Sequence, residues 1–137
     1  MKVEYRVIYG DTDTGGVMYY ANYLRLFEIG RTELLRRQGL TYRDLEEQRG
    51  LILPVAEAHI RYRAPARYDD LLEIHTRISE VRPHRVRFDY RILRQGRLLA
   101  EGYTVHAPVS REGRLQKFPP DILEFLQTLS QENPSAG

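Results

Sequence analysis

Apolar and polar residues alternate along several stretches of this chain, a period of two that marks strands with one buried face. The clearest run is 85 to 92, where Val86, Phe88, Tyr90 and Ile92 interleave with Arg85, Arg87, Asp89 and Arg91. Residues 71 to 81 repeat the pattern, with Leu72, Ile74, Thr76 and Ile78 set against Glu73, His75 and Arg77. Val3, Tyr5, Val7 and Tyr9 alternate with Glu4 and Arg6, which predicts a first strand over 3 to 9. Two more strands are expected over 51 to 63 and 98 to 109, the second entered through a Gln95-Gly96 hairpin turn.

The period changes between the first strand and the second. Tyr20, Tyr23, Leu24, Phe27, Leu34 and Leu35 recur at helical spacing, so a helix is expected from about Tyr20 to Gln38, stopped by Gly39. Gly30 lacks a side chain and would let this helix lie close against a sheet. Thr41, with Asp44 three residues on, reads as the N-cap of a second, short helix. Pro119-Pro120 opens a C-terminal helix whose apolar face is Ile122, Leu123, Phe125, Leu126 and Leu129, followed by a polar, frayed tail from Gln131 to Gly137. Strand, long helix, short helix, four strands and helix make an α+β chain, with an antiparallel sheet curled around one central helix. So small a sheet leaves surface to bury elsewhere, which argues for self-association.

Composition adds exclusions. The 137 residues suit one domain, 1–137, without repeat or linker. There is no Cys, hence no disulfide, thiol nucleophile or thiolate metal site. No apolar run approaches a membrane span, and Met1 to Tyr5 lack a signal-peptide core, so a cytoplasmic location is the expectation. The net charge of +2 gives no ground for nucleic-acid binding. The cations are nearly all Arg, with only Lys2 and Lys117 as Lys. Either a GC-rich or heat-adapted origin, or a phosphate-rich ligand such as coenzyme A, accounts for that bias.

Candidate chemistry is concentrated in Gly10 to Tyr23. Asp11 and Asp13 lie two apart in a Gly-rich turn, and a helix N-terminus follows. Free N–H groups at such an end can polarise a carbonyl, and a nearby carboxylate can attack it or activate water. The ordinary alternative is that each Asp caps its own turn. A calcium loop fails for want of the closing Glu, and no Gly-Lys-Ser/Thr follows to make a phosphate loop. His59, His75, His84 and His106 are scattered without metal-ligand spacing, so neither a metal nor a cofactor is expected. Glu28 and Arg31 are three apart on the long helix, either as a helix-stabilising pair or with Glu28 at the far end of a pocket.

The run from Tyr9 to Tyr23, Tyr-Gly-Asp-Thr-Asp-Thr-Gly-Gly-Val-Met-Tyr-Tyr-Ala-Asn-Tyr, closely resembles the signature of the 4-hydroxybenzoyl-CoA thioesterase family. Phe27 to Leu35 is similar to that family's central helix, and Tyr62 to Asp70 to its strand crossing. The resemblance covers about residues 3 to 110. It implies a hotdog fold, a five-stranded antiparallel sheet wrapped around a long central helix. It also implies hydrolysis of acyl-CoA thioesters by a homodimer assembling to a homotetramer. The second acid of the pair, Asp13, is then the catalytic carboxylate and Asp11 a turn residue. Tyr20 would start the helix and offer its N–H to the thioester carbonyl, with Gly16 and Val17 lining the pocket. His59 is a further substrate-binding candidate, on a strand that would run beside the pocket in the partner subunit. The Tol-Pal-associated bacterial branch usually carries His at the position of Tyr20, so the acyl group is left open. The rival function is a module that binds an acyl-CoA or acyl-carrier thioester without cleaving it.

Overall fold

A computed structural model describes residues 1–132. Five strands, β1 (Lys2–Arg6), β2 (Val55–Tyr62), β3 (Leu71–Arg82), β4 (Arg85–Arg94) and β5 (Arg97–His106), form one antiparallel sheet. Its order is β1-β3-β4-β5-β2, so the first and second strands in sequence end at opposite edges. Three helices accompany it: α1 (Asn22–Arg37), α2 (Tyr42–Arg49) and α3 (Pro120–Glu132).

The alternating runs behave as their pleat requires. Leu72, Ile74, Thr76 and Ile78 of β3 are buried, as are Val86, Phe88, Tyr90 and Ile92 of β4, while the intervening charges face the other side. Arg82 pairs with Arg85 across Pro83-His84, and Arg94 with Arg97 across Gln95-Gly96. Gln95 and Gly96 both have positive φ, 49° and 80°, the twist that a two-residue hairpin needs.

Against the buried face lies α1, and α3 packs on β3 as well. Tyr23, Leu26, Phe27, Gly30, Leu34 and Leu35 form the stripe that α1 buries, and Phe27 stacks on Tyr90 with ring centroids 4.1 Å apart. Gly30 meets β3 as expected: a Cβ there would stand 2.3 Å from Thr76 Oγ1. On α2, Thr41 Oγ1 accepts the Asp44 N–H at 3.0 Å, and Gly50 ends the helix in the left-handed conformation.

Several boundaries differ from the sequence reading. The first strand ends at Arg6, because Tyr9–Asp11 turns into a 3₁₀ helix stapled by the Asp11 side chain. α1 begins at Asn22 rather than Tyr20 and has 16 residues, so the central helix is shorter than predicted. Tyr20 and Leu24, counted among its apolar positions, are exposed, while Leu26 and Arg31 are buried. The expected strand over 51 to 63 is confined to β2, preceded by Ile52 in a single bridge to Val109. Gln131 and Glu132 continue α3, and the rest of the polar tail lies outside the described residues.

Candidate functional site: the Asp13 turn and the α1 groove

The two acids of the signature are built differently. Asp11 is buried, and one carboxylate oxygen accepts the Tyr5 hydroxyl at 2.7 Å and the Ile8 N–H at 3.0 Å. The other oxygen accepts from Arg25 at 2.5 Å. Its carbonyl takes the Tyr19 N–H at 2.8 Å and the Asn22 amide at 2.9 Å. Asp11 therefore ties β1, the turn and the start of α1 together, with both carboxylate oxygens engaged. Burial and the Asp11 carboxylate together push the Tyr5 phenol above its ordinary pKa.

Asp13 is exposed at the tip of the next turn. Its N–H donates to Val17 O at 2.9 Å, and its carbonyl accepts the Gly16 N–H at 3.1 Å. One side-chain oxygen accepts the Gly15 N–H at 2.8 Å, the Asx turn expected of Asp in this setting. The other has no donor among the described residues. Gly16 closes the turn at φ +80°, a conformation that costs little only for glycine. Thr12–Met18 and Val17–Arg67 bridges hold the loop, so a fixed backbone presents a free carboxylate oxygen.

Tyr20 stands two residues before α1. Its carbonyl accepts the Tyr62 hydroxyl at 2.9 Å, which fixes the peptide. The N–H groups of Tyr20 and Ala21 have no acceptor among the described residues. They lie at the positive end of α1, where donors lack intrahelical partners. Asp13 is close enough for its charge to add to the raised pKa of Tyr19, whose main cause is the hydrogen bond with Tyr20. A hollow of about 310 Å³ opens here between Met18, Tyr20, Tyr23, Tyr62 and Pro65.

A second, separate hollow of about 410 Å³ lies further along α1, between Leu24, Glu28 and Arg31 and, from the sheet, Val55, Ala58 and Thr104. Behind it sits a buried polar chain. His106 Nδ1 faces Leu53 O at 3.0 Å, His106 Nε2 faces Thr104 Oγ1 at 2.8 Å, and Thr104 Oγ1 faces the Tyr90 hydroxyl at 2.6 Å. Burial lowers the His106 pKa from 6.5 to about 4, and the Arg31 charge pushes the same way. The nearby Tyr42 hydroxyl is buried without a hydrogen-bond partner, and burial raises its pKa.

Within the chain the structure groups Asp13, Gly16, Val17 and Tyr20 in one loop. His59 is elsewhere. It lies on the outer face of the sheet, stacked on Tyr103 at 5.3 Å, with Arg61, His75 and Asp89 around it. Sequence reasoning placed Arg31 only in a surface pair. Its position four after Phe27 and three before Leu34 is the signal that would have placed it on the buried stripe.

A sequence model of the thioesterase-like superfamily matches residues 7–126. The acyl-CoA thioesterase YbgC of Haemophilus influenzae is 38% identical over 119 residues, covering 85% of this chain and 87% of that protein. A crystal structure of the protein TT1821 from Thermus thermophilus superposes with a TM-score of 0.89 at 37% identity, covering 93% of this chain and 98% of that one. A 4-hydroxybenzoyl-CoA thioesterase complexed with 4-hydroxybenzoyl-CoA shares the fold, with a TM-score of 0.84 at 23% identity, over 92% and 97% of the two chains. With 120 consecutive residues inside the family match and the hotdog sheet-and-helix arrangement reproduced, the chain belongs to the thioesterase-like superfamily.

Proposed function

We propose that this protein hydrolyses an acyl-CoA thioester to the free acid and CoA, as one cytoplasmic hotdog domain acting in a homodimer that pairs into a homotetramer. The observation that carries the reading is the free carboxylate oxygen of Asp13, held by a fixed turn, in the same loop as the unpartnered N–H groups of Tyr20 and Ala21. The name of the Haemophilus relative supports the same chemistry.

In this reading the thioester carbonyl oxygen lies against the Tyr20 N–H, with Gly16 and Val17 beside it. Asp13 attacks the carbonyl carbon. Negative charge gathers on the oxygen, where the N–H and the helix end stabilise it. Collapse breaks the carbon–sulfur bond, CoA leaves as thiolate and takes a proton from water, and water then cleaves the mixed anhydride. In the general-base variant Asp13 takes a proton from a water that attacks the carbonyl carbon itself, so collapse gives the free acid and CoA directly and no anhydride forms.

Assembly rests on β2. It is an edge strand of eight residues whose other side is unpaired, and Val55, Ala58 and Tyr62 on it are exposed. Such an edge invites pairing with another chain. A two-fold β2–β2 pairing joins two sheets and closes the groove along α1, and His59 then faces solvent or a second dimer rather than its own Asp13 turn.

The test is release of CoA from a panel of short, medium, long and aromatic acyl-CoAs, with the mass of the particle measured by sedimentation. Asp13→Asn is expected to lower turnover by at least about 100-fold with an unchanged fold. Tyr20→Phe is expected to stay active, because it keeps the N–H. Full activity in Asp13→Asn overturns the assignment, and tight binding of acyl-CoA without release of CoA favours a binding module.

A further inference from the structure

The groove along α1 ends on a buried cation. Arg31 is only 9% exposed, yet its one ion-pair partner among the described residues is Glu28, 3.9 Å away. Glu28 itself is 66% exposed at its side chain. So long and solvated a contact contributes little, while a guanidinium withdrawn from water costs several kcal/mol unless well paired. The Tyr42 and Tyr90 hydroxyls interact with Arg31, but burial raises the pKa of both, so they are neutral neighbours and supply no negative charge. The other cation at this hollow, Arg25, is already paired with Asp11. Arg31 is thus a buried cation facing a hollow, short of an anion.

The two hollows lie in succession between α1 and β2, one at Tyr20 and Tyr62 and the next at Arg31, Val55 and Ala58. Tyr20 stands just before α1, and Leu24, Glu28 and Arg31 follow along one side of the helix at intervals of four and three. β2 runs the opposite way beside it, with Tyr62 against Tyr20 and Ala58 and Val55 against the hollow that Arg31 lines. From the start of α1 at Asn22 to Arg31 is nine residues, about 14 Å of helix axis at ~1.5 Å per residue. An Arg side chain on a helix leans back towards the N-terminus, which brings the guanidinium nearer to the thioester end. An extended acyl chain of medium length, with its carbonyl at Tyr20, therefore brings its far end to Arg31.

We propose that the acyl group this protein takes is one that ends in a carboxylate, the half-thioester of a medium-chain dicarboxylic acid, with Arg31 binding the distal carboxylate in two-pronged fashion. The proposal rests on the thioester reading for where the carbonyl sits. A carboxylate matches the planar donors of a guanidinium better than a hydroxyl or methyl end does. Glu28 is the competing anion, which swings to solvent as the ligand enters.

The experiment separates the two readings by measuring binding without turnover. Calorimetry on the full-length Asp13→Asn protein compares adipoyl-CoA with hexanoyl-CoA, and suberoyl-CoA with octanoyl-CoA. The expected result is tighter binding of the carboxylate-ended member of at least one pair, by about 10-fold or more, the range of a charged hydrogen-bonded pair. Arg31→Met should bring that ratio to one, and Glu28→Gln, at an exposed position that tolerates change, should raise it. Equal affinities within both pairs overturn the proposal, and so does a ratio that Glu28→Gln lowers. Selective binding of adipoyl- or suberoyl-CoA with no release of CoA by the parent would retain the carboxylate site and reject hydrolysis. Release of CoA with equal affinities would do the reverse.

Discussion

Replacing Gly30 with alanine tests how closely α1 is seated on the sheet. The new Cβ would stand 2.3 Å from Thr76 Oγ1 and 2.9 Å from Ile74 Cγ2. Real contacts of this kind do not fall below about 3 Å, so something must move. Both neighbours are buried, at 2% and 0% exposure, on β3, which is paired on both sides by β1 and β4. The strand cannot yield, and α1 must lift or Thr76 must rotate. Overpacking costs about 1–3 kcal/mol, and an approach as short as 2.3 Å belongs to the upper part of that range, about 2–3 kcal/mol. Alanine recovers ~1 kcal/mol through its helix propensity. The net loss expected is about 1–2 kcal/mol, read from urea midpoints at fixed protein concentration with an unchanged slope. Thr76→Ala removes Oγ1, a buried hydroxyl with no hydrogen-bond partner, so alone it should cost little. In the double variant most of the Gly30→Ala penalty should vanish, a coupling of about 1 kcal/mol. Gly30→Ala as stable as the parent, or a penalty that Thr76→Ala leaves intact, would refute the close approach. Lifting α1 also moves the helix end at Tyr20, so turnover should fall in the single variant and recover in the double.

Two other perturbations probe the site's supports. His106 is buried and neutral, with its pKa lowered from 6.5 to about 4, so its contribution is complete above pH 6.5 and is lost as pH falls towards 4. That shift corresponds to roughly 3 kcal/mol; urea titrations across this window should show the loss, and His106→Asn should flatten it, whereas a parent equally stable at both ends would sink the account. Asp11→Ala orphans the Tyr5 hydroxyl and the Ile8 N–H, with an expected loss of about 2–4 kcal/mol. Thermal unfolding checks it against Asp13→Asn, whose exposed side chain should leave the midpoint nearly unchanged.

The parts of the fold legible in sequence were those set by near neighbours. Alternation in 71–81 and 85–92 announced β3 and β4, because a pleat sends successive side chains to opposite faces whatever the surroundings. Gln95-Gly96, the Thr41 cap and the seat of Gly30 were equally local. The Asp-x-Asp turn was visible too, but turn chemistry treats its two acids alike; a likeness to a known signature singled out Asp13. Tertiary structure divided them, by burying Asp11 under Tyr5 and Arg25 and leaving an oxygen of Asp13 free. It also cut the first strand short at Arg6 and moved the helix start from Tyr20 to Asn22, since side-chain bonds from Asp11 hold the chain in a tight turn there. Strand order was decided the same way, with β1 carried to β3 and β2 to the far edge. Arg31 shows the limit most clearly: its charge predicts a surface, its place in the helix predicts a core, and only the hollow between α1 and β2 accounts for both. Periodicity reports which face a residue shares. What that face meets depends on contacts far apart in sequence, which no local pattern encodes.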